Sequence, residues 1–508
     1  MAQAKPNIIF FFCDDLGWGD VSCLNADSQI ATPKIDSLAG YGMSFSEVQA
    51  GRAVCTPSRY TLLTGRYCWR TPLKAAVHSG YSPALITPDR PTVASRLKDH
   101  GYATACYGKW HMGMDWALKG GGTTRAFRRR LNDEPADADH QIDFAKPIQN
   151  APSDVGFDHF YGISASLDMS PYVFIENNGP TTKPTSYSPE GHGDRLSRPG
   201  IAAQGWRHED VLPTVQQKAL DFIDARAKDG KPFFLYIPVN GPHTPIVPTE
   251  EWVGTSNCGL YGDFVQQIDA MVGSLLERLD LHDLRNNTAF FFSSDNGPET
   301  HTAEYRDRYN HMSTWRFRGM KRDNWEGGHR IPYVVSWPAR VGAGVTCDRF
   351  VELADFYTTA IAIAGAATPA APNAGGEDSF NMLPLLLGTD ASDYRSFAVH
   401  HSFLGKWAIR RGKWKLLLHS GSGGNFYVCP ENDDPVQLYN LDVDPFETTN
   451  VYKDHKALVA DLKRQCLDVI QKGRSTPGPA MPNDGPDQTG ESATHWQQLE
   501  ELLSVAVD

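Results

Sequence analysis

Short apolar runs alternate with amphipathic stretches along the first two thirds of the chain. Residues 7–13 are almost continuously apolar, as in a strand buried on both faces. Further strand candidates lie at 103–107, 233–239, 288–294 and 331–337. Periodic apolar positions predict helices at 33–42, 92–100, 211–228 and 261–281. This alternation is typical of an α/β fold, with a large, mostly parallel sheet sandwiched by helices.

The composition changes after an Ala-, Pro- and Gly-rich stretch at 366–376. Short β-like segments follow at 396–401, 406–411 and 413–418, and a helical pattern covers 456–471. We therefore predict an N-terminal domain over 1–376 and a smaller C-terminal α+β subdomain over 377–508. The subdomain would hold a short antiparallel sheet, a terminal helix and a further short helix over 496–504.

Bulk composition limits the classes of function. The 508 residues are 41% hydrophobic and 21% charged, which is ordinary for a globular protein with a large core. No apolar run is long enough for a membrane span. The net charge of −12 disfavours a nucleic-acid partner, and an anionic substrate would need a local positive site. The nine cysteines are an odd number, so at least one is unpaired.

The N-terminus has no hydrophobic signal core. Two localisations stay open: a periplasmic or secreted protein whose signal peptide is absent from this sequence, or a cytoplasmic protein.

Polar clusters follow the predicted strands at their carboxyl ends. The clusters are Asp14 with Asp15, Lys109 with His111, His243, and Asp295 with Asn296. Because the carboxyl ends of parallel strands meet at one sheet edge, we expect these side chains to converge. Carboxylate and carboxamide oxygens are suitable ligands for Ca²⁺ or Mg²⁺. Taken one at a time, Asp-Asp and Asp-Asn-Gly are also common turn sequences.

Cys55 precedes a predicted helix start. Thr56 is a suitable capping residue and Pro57 suits the first helical turn. Cys55 would then lie just outside the helix N-terminus, where an anion or a thiolate is favoured. Arg59 would lie one turn further on and could turn back towards Cys55. The alternative is a buried cysteine beside an ordinary helix cap.

Five segments together resemble the type I sulfatases. They are C-T-P-S-R…T-G-R at 55–66, D-D-L-G-W-G-D at 14–20, G-K-W-H-M-G at 108–113, R-G-M-K…E-G-G-H-R-I-P at 318–332 and L-Y-N-L…D-P-F-E at 438–447. The resemblance extends from Asn7 to Asn450. It implies an alkaline-phosphatase-like fold and a sulfuric ester hydrolase.

The resemblance also implies a modified nucleophile and a metal ion. Cys55 would be oxidised to formylglycine by a maturation enzyme, and the hydrated aldehyde would be the nucleophile. One Ca²⁺ ion, with Mg²⁺ as an alternative, would be held by Asp14, Asp15, Asp295, Asn296 and the modified Cys55.

Five further roles follow from the resemblance. Arg59 would orient and acidify the aldehyde hydrate, and Lys109 and Lys321 would hold the sulfate oxygens. His243, with Lys321, would protonate the leaving alcohol. His111 would take a proton from the second hydroxyl as sulfate is released. Many relatives have Gly around the lysine where this chain has Met320 and Arg322, so we expect a changed pocket rim.

The expected substrate is a sulfated carbohydrate, such as a glycosaminoglycan or algal-type polysaccharide fragment. The polar region from about 119 to 210 is long enough to build sugar subsites. Within it, Asp168 could accept sugar hydroxyl hydrogen bonds and Tyr172 could stack on a ring. A basic cluster, which could instead be a solvated loop, consists of Arg125, Arg128, Arg129 and Arg130.

Three other functions remain open. One is an arylsulfatase of small substrates, and another is a phosphonate or phosphate ester hydrolase of the same fold. The third is a binding protein without catalysis, which the retained catalytic positions disfavour.

Overall fold

A ten-stranded sheet forms the centre of the computed structural model, which describes residues 5–127, 137–367, 374–389, 391–392, 394–424 and 434–484. The strands are β1 (Asn7–Asp14), β2 (Met43–Phe45), β3 (Val48–Gln49), β4 (Ala103–Lys109), β5 (His159–Ile163), β6 (Ile175–Glu176), β7 (Gly179–Pro180), β8 (Ser186–Ser188), β9 (Gly200–Ala202), β10 (Phe233–Pro242), β11 (Thr288–Ser294), β12 (Tyr333–Ser336), β13 (Val345–Cys347), β14 (Val351–Glu352), β15 (Phe397–His401), β16 (Trp407–Arg411), β17 (Trp414–Leu417) and β18 (Gln437–Asn440).

The helices are α1 (Pro33–Gly40), α2 (Cys55–Thr64), α3 (Val93–Asp99), α4 (Ala138–Gln141), α5 (Val211–Asp229), α6 (Gly259–Leu281), α7 (Tyr305–Tyr309), α8 (Glu326–His329), α9 (Asp355–Ile363), α10 (Leu383–Leu386) and α11 (Lys456–Lys472).

The order of strands in the large sheet is β13-β2-β12-β11-β1-β10-β4-β5-β6-β7. Its centre, from β11 through β1, β10 and β4 to β5, is parallel. β12 and β6 pair antiparallel at the two sides of this centre. The predicted large, mostly parallel sheet is confirmed.

Strand β1 explains why the sheet has helices on both faces. All eight of its residues are buried. Ile8, Phe10 and Phe12 belong to one hydrophobic cluster, to which α2, α3 and α9 contribute. Ile9 and Phe11 belong to a second cluster on the other face, with α1, α5 and α6. A continuous apolar run is what a strand covered on both faces requires.

The smaller sheet consists of β15 to β18 in antiparallel order. Leu462 and Ile470 of α11 pack with Trp407 and Leu416 of this sheet. The predicted small antiparallel sheet with a terminal helix is therefore present. The division between residues 376 and 377 stays a prediction, and the predicted helix over 496–504 lies outside the described residues.

Among the described residues, the cysteines are all unpaired. None of the helices in this part of the chain is both long and apolar enough to cross a membrane.

Candidate active site

The polar clusters predicted at the strand ends lie together at one edge of the large sheet. β11, β1, β10 and β4 are neighbours, so the residues at their carboxyl ends meet. The ammonium group of Lys109 lies 2.5 Å from Asp14 Oδ2. His243 Nε2 lies 3.7 Å from Asp15 Oδ2, and Asn296 Nδ2 donates to Asp15 Oδ1 at 2.7 Å. The structure thus brings the predicted residues into one buried site, while their catalytic roles stay predictions.

Helix α2 begins two residues earlier than the sequence predicts. Val54 is the N-cap and Cys55 is the first helical residue. Thr56 does not cap the helix, because its hydroxyl donates to the carbonyl of His111 at 2.8 Å and accepts from the amide of His78 at 3.1 Å. The capping prediction was wrong because a tertiary contact uses this hydroxyl. Cys55 still lies in the first turn, at the N-terminal end.

The Cys55 thiol is not the thiolate that a helix N-terminus favours. Burial raises its pKa to about 11, against the opposite effect of Lys109 and Lys321. The thiol therefore keeps its proton at neutral pH, and a protonated thiol is a poor nucleophile.

Arg59 crosses the site from α2 to the strand ends. Its guanidinium donates to Asp295 Oδ2 at 2.9 Å and to the Lys109 carbonyl at 3.2 Å. A second carboxylate oxygen, Asp14 Oδ1, lies 3.6 Å from the guanidinium. Arg59 is fully buried and so fixes the spacing of these carboxylates.

The second arginine of the C-T-P-S-R…T-G-R segment lies outside the site. α2 ends at Thr64, and the C-cap Gly65 has a φ of +61°, a left-handed conformation that glycine favours. Arg66 then pairs with Asp484 at 3.1 Å and donates to the Tyr60 hydroxyl. Its contacts stabilise the fold.

The carboxylates and Asn296 form a site that fits a metal ion. Ligand atoms of Asp14, Asp15 and His243, and those of Asp14, Cys55 and Asp295, lie within 4.8 Å of one another. Asp14 Oδ1 and Asn296 Oδ1 are buried without a hydrogen-bond partner among the described residues. Burial, together with the charge of Asp14, raises the pKa of Asp295 to about 7. A bound cation would satisfy these oxygens and relieve the crowding of negative charge.

Two ammonium groups face the site from different segments. Lys109, at the end of β4, also contacts Ser166 Oγ at 3.1 Å. Lys321 lies in an irregular segment before α8, and its ammonium group is 2.7 Å from Asp15 Oδ2. These groups place two positive charges in the site, as an anionic substrate on an acidic protein would require.

Ser166 is a site residue that sequence reasoning missed. It follows β5, the fifth parallel strand, and its hydroxyl lies 3.3 Å from His243 Nδ1. Strand β5 was hidden because its residues, His-Phe-Tyr-Gly-Ile, are neither continuously apolar nor clearly alternating. The signal that could have indicated this strand was the short aromatic run in 159–163, which is followed by Ser164 and Ser166.

The two histidines have different tautomers. His111 Nε2 lies 2.8 Å from the His78 carbonyl, so the proton belongs on Nε2. Its Nδ1 has no hydrogen-bond partner in the described chain. Burial and the charges of Lys109 and Arg59 lower the pKa of His111 well below its usual value. His111 Nδ1 is thus an unprotonated acceptor at neutral pH.

His243 is arranged in the opposite way. Its Nδ1 lies 2.5 Å from the Thr244 carbonyl, which requires a proton on Nδ1. The Nε2 atom is then the one that faces Asp15 and the site.

The expected sugar-binding residues have different environments. Tyr172 is buried, and its hydroxyl donates to the Arg198 carbonyl. Its ring packs edge-to-face against the ring of His208, with 5.0 Å between the two ring centroids. The ring therefore has no free face for stacking on a sugar in this structure. Asp168 Oδ2 pairs with Arg198 at 3.3 Å, whereas Oδ1 accepts no hydrogen bond from a described residue. Asp168 stays a candidate hydrogen-bond acceptor.

Arg125 is the one arginine of the predicted basic cluster that lies among the described residues. Arg125 pairs with the buried carboxylate of Asp115, and its side chain is 47% exposed. Arg128, Arg129 and Arg130 lie outside the described residues.

Known families and proteins match most of this chain. The Sulfatase family matches residues 6–366, and the family described as N-sulphoglucosamine sulphohydrolase, C-terminal, matches 317–472. An N-acetylgalactosamine-6-O-sulfatase of Bacteroides thetaiotaomicron is 34% identical over 502 residues, covering 90% of this chain and 92% of that protein. Arylsulfatase A of Bos taurus is 30% identical over 519 residues, covering 96% and 92%.

One solved structure is similar to this protein over nearly the whole length of both chains. It comes from work on the metabolism of multiple glycosaminoglycans by Bacteroides thetaiotaomicron, and it has a TM-score of 0.78 and 31% identity. The similarity covers 92% of this chain and 100% of the solved one. The resemblance found in the motifs is confirmed, and the chain belongs to the sulfatase family of sulfuric ester hydrolases.

Proposed function

We propose that this sulfatase removes sulfate from a sulfated carbohydrate. The observation that carries the proposal is a buried site with Cys55 in the first turn of α2 and the ammonium groups of Lys109 and Lys321 beside it. The carbohydrate part is supported by the 34% identity to an N-acetylgalactosamine-6-O-sulfatase over 90% of the chain. It is also supported by the long segment from 119 to 210, which offers surface for binding sugars.

We further propose that Cys55 is oxidised to formylglycine and that the metal is one Ca²⁺ ion, with Mg²⁺ as an alternative. Asp14, Asp15, Asp295 and Asn296 would hold the ion, together with the modified side chain, through hard oxygen ligands. The hydrated aldehyde would supply the nucleophile, and the bound cation would supply positive charge against the sulfate oxygens. The uninterrupted C-T-P-S-R…T-G-R segment at 55–66 supports the modification.

The chain's own residues would bind the sulfate and move protons. Lys109 and Lys321 would donate hydrogen bonds to the sulfate oxygens, in a dry site where fixed charges have their largest effect. Arg59 would hold Asp295 in place and orient the side chain of residue 55. His243, with its ring protonated on both nitrogens, would give the Nε2 proton to the leaving alcohol oxygen and keep the Nδ1 proton that the Thr244 carbonyl accepts. His111 Nδ1 would accept a proton from the second hydroxyl of the aldehyde hydrate as sulfate leaves.

The His111→Gln variant should lower kcat by about 10²–10⁴-fold with a small change in KM, because glutamine cannot accept the proton. In the native enzyme, the neutral base is present at all pH values above its lowered pKa and is lost only as pH falls through that value. We therefore expect the acid limb of the kcat profile to lie below pH 6.5. Steady-state rates between pH 4 and 9 measure this. A native acid limb at about 6.5 or above would contradict the assignment.

A panel of defined sulfated saccharides, tested beside small aryl sulfates, decides the substrate class. Arylsulfatase activity is the second candidate, because arylsulfatase A of Bos taurus is 30% identical over 96% of the chain. We expect kcat/KM to be at least about 10-fold higher for one sulfated saccharide than for any aryl sulfate, since sugar contacts add binding energy in the transition state. Efficient turnover of aryl sulfates without turnover of any saccharide would contradict the carbohydrate proposal.

The Arg125→Gln variant tests whether the basic cluster binds a polyanionic substrate. If the cluster binds a polyanion, activity on multiply sulfated oligosaccharides falls and becomes less sensitive to salt, while aryl sulfate activity is unchanged. Equal changes on both substrate types would remove Arg125 from the argument.

A further inference from the structure

Arg322, directly after Lys321, has a backbone conformation that arginine rarely adopts. Its φ is +84°, in the left-handed region that favours glycine. The conformation is held by two hydrogen bonds, from its amide to the Ala53 carbonyl at 2.8 Å and from the Phe403 amide to its carbonyl at 3.0 Å. Strained positions of this kind concentrate at functional sites. The side chain of Arg322 is therefore a candidate for a role in the site.

The guanidinium of Arg322 forms a two-pronged ion pair with Glu299. The Nη1–Oε1 distance is 2.5 Å and the Nη2–Oε2 distance is 2.7 Å. The amide and hydroxyl of Thr300 also donate to Glu299 Oε1, at 2.7 and 3.0 Å. Burial alone would raise the pKa of Glu299, but Lys321 and Arg322 lower it well below its usual value. Glu299 is thus an ionised carboxylate fixed in one position.

Glu299 also contacts the ammonium group that faces the site. Its Oε2 lies 3.5 Å from Lys321 Nζ, and Asp15 Oδ2 lies 2.7 Å from the same nitrogen. The two carboxylates hold Lys321 between them. An unneutralised carboxylate this close to a sulfate-binding ammonium group would repel the sulfate ester and weaken the field of the lysine. Arg322 offsets that charge.

We propose that Glu299 and Arg322 are a neutral pair that positions Lys321 for sulfate binding. Glu299 anchors the ammonium group, and Arg322 cancels the negative charge that this anchor brings into the site. The pair explains why the left-handed position holds arginine, since glycine there would leave Glu299 uncompensated. The inference rests on the sulfatase activity of the family and is independent of which sulfate ester is the substrate.

The Arg322→Gly variant tests the pair without disturbing the backbone, because glycine suits a φ of +84°. We expect the inhibition constant of inorganic sulfate, and KM for whichever sulfate ester is hydrolysed, to rise about tenfold. We expect kcat to change less, and the melting temperature to stay within about 4 °C of the native value. Arg316→Gly is the matched control, because Arg316 is an exposed arginine of the same segment. Its sulfate inhibition constant should stay native.

The Arg322→Gly/Glu299→Gln double variant separates charge compensation from other roles. Glutamine keeps hydrogen-bonding capacity but removes the charge, so sulfate inhibition should return to within about threefold of native. The Glu299→Gln single variant should also keep sulfate inhibition within about threefold of native, because losing the anchor of Lys321 weakens sulfate binding while losing the negative charge strengthens it. An unchanged inhibition constant in Arg322→Gly would overturn the proposal. A double variant as weak as Arg322→Gly would also overturn it, because Arg322 would then act by direct contact.

Discussion

Replacing Cys55 by alanine should abolish sulfate ester hydrolysis, with kcat/KM lowered by at least about 10³-fold. Alanine cannot be oxidised to an aldehyde, and no other side chain of the site can take its place as nucleophile in the proposed mechanism. The structural effect should be small, because the change removes only the sulfur atom of one side chain in the first turn of α2. We expect a shift of the melting temperature of no more than about 4 °C.

Mass spectrometry of the peptide containing residue 55 measures the modification itself. Active enzyme made together with a maturation enzyme should carry the aldehyde at this position, and the aldehyde fraction should follow specific activity across preparations. Cys466→Ala is the matched control, because Cys466 is a buried cysteine of α11 in the core of the small sheet. It should keep native kcat/KM. Active enzyme with only unmodified Cys55 would refute the prediction.

The regular part of the fold could be predicted from periodicity because burial determines it. β1 and β11 are covered on both faces and show as continuous apolar runs. α5 and α6 have one buried face and show the helical period. β5 could not be recognised in the same way, since its burial is uneven along the strand. Ser166, which follows it, was missed for that reason.

The predictable part of the site followed from topology. Polar residues at the ends of neighbouring parallel strands must meet, so Asp14, Lys109, His243 and Asp295 could be grouped without knowledge of the family. Lys321 lies in an irregular segment, and it entered only through the resemblance to sulfatases.

Side-chain contacts were the least predictable feature. Tyr172 was expected to stack on a sugar, yet its ring is covered by residues distant in sequence. Thr56 was expected to cap α2, yet its hydroxyl binds the backbone of another segment. The Glu299–Arg322 pair joins two loops 23 residues apart. Local sequence rules cannot foresee contacts that form only when distant segments pack.

Replacing Asp295 by alanine should remove the metal ion and lower kcat by about 10³-fold or more. The change would remove a ligand of the proposed cation and the acceptor of Arg59, whose guanidinium donates to Asp295 Oδ2 at 2.9 Å. Metal content measured by mass spectrometry gives the first readout. Glu299→Gln is the matched control, because Glu299 is close to Lys321 but is not a proposed ligand. It should retain the metal.

Thermal unfolding gives a readout that does not depend on activity. In the native enzyme, the ion would bind only the folded state, so Ca²⁺ at 100 times its Kd should add about 2.7 kcal/mol to the free energy of unfolding. Chelation should remove this gain and added Ca²⁺ should restore it, whereas Asp295→Ala should show no response. The ligand set is rich in oxygen, and Asp14 Oδ1 and Asn296 Oδ1 accept no hydrogen bond from a described residue. These features favour Ca²⁺ or Mg²⁺ over zinc. A native enzyme that keeps a tightly bound zinc ion and gains no stability from Ca²⁺ would contradict the assignment.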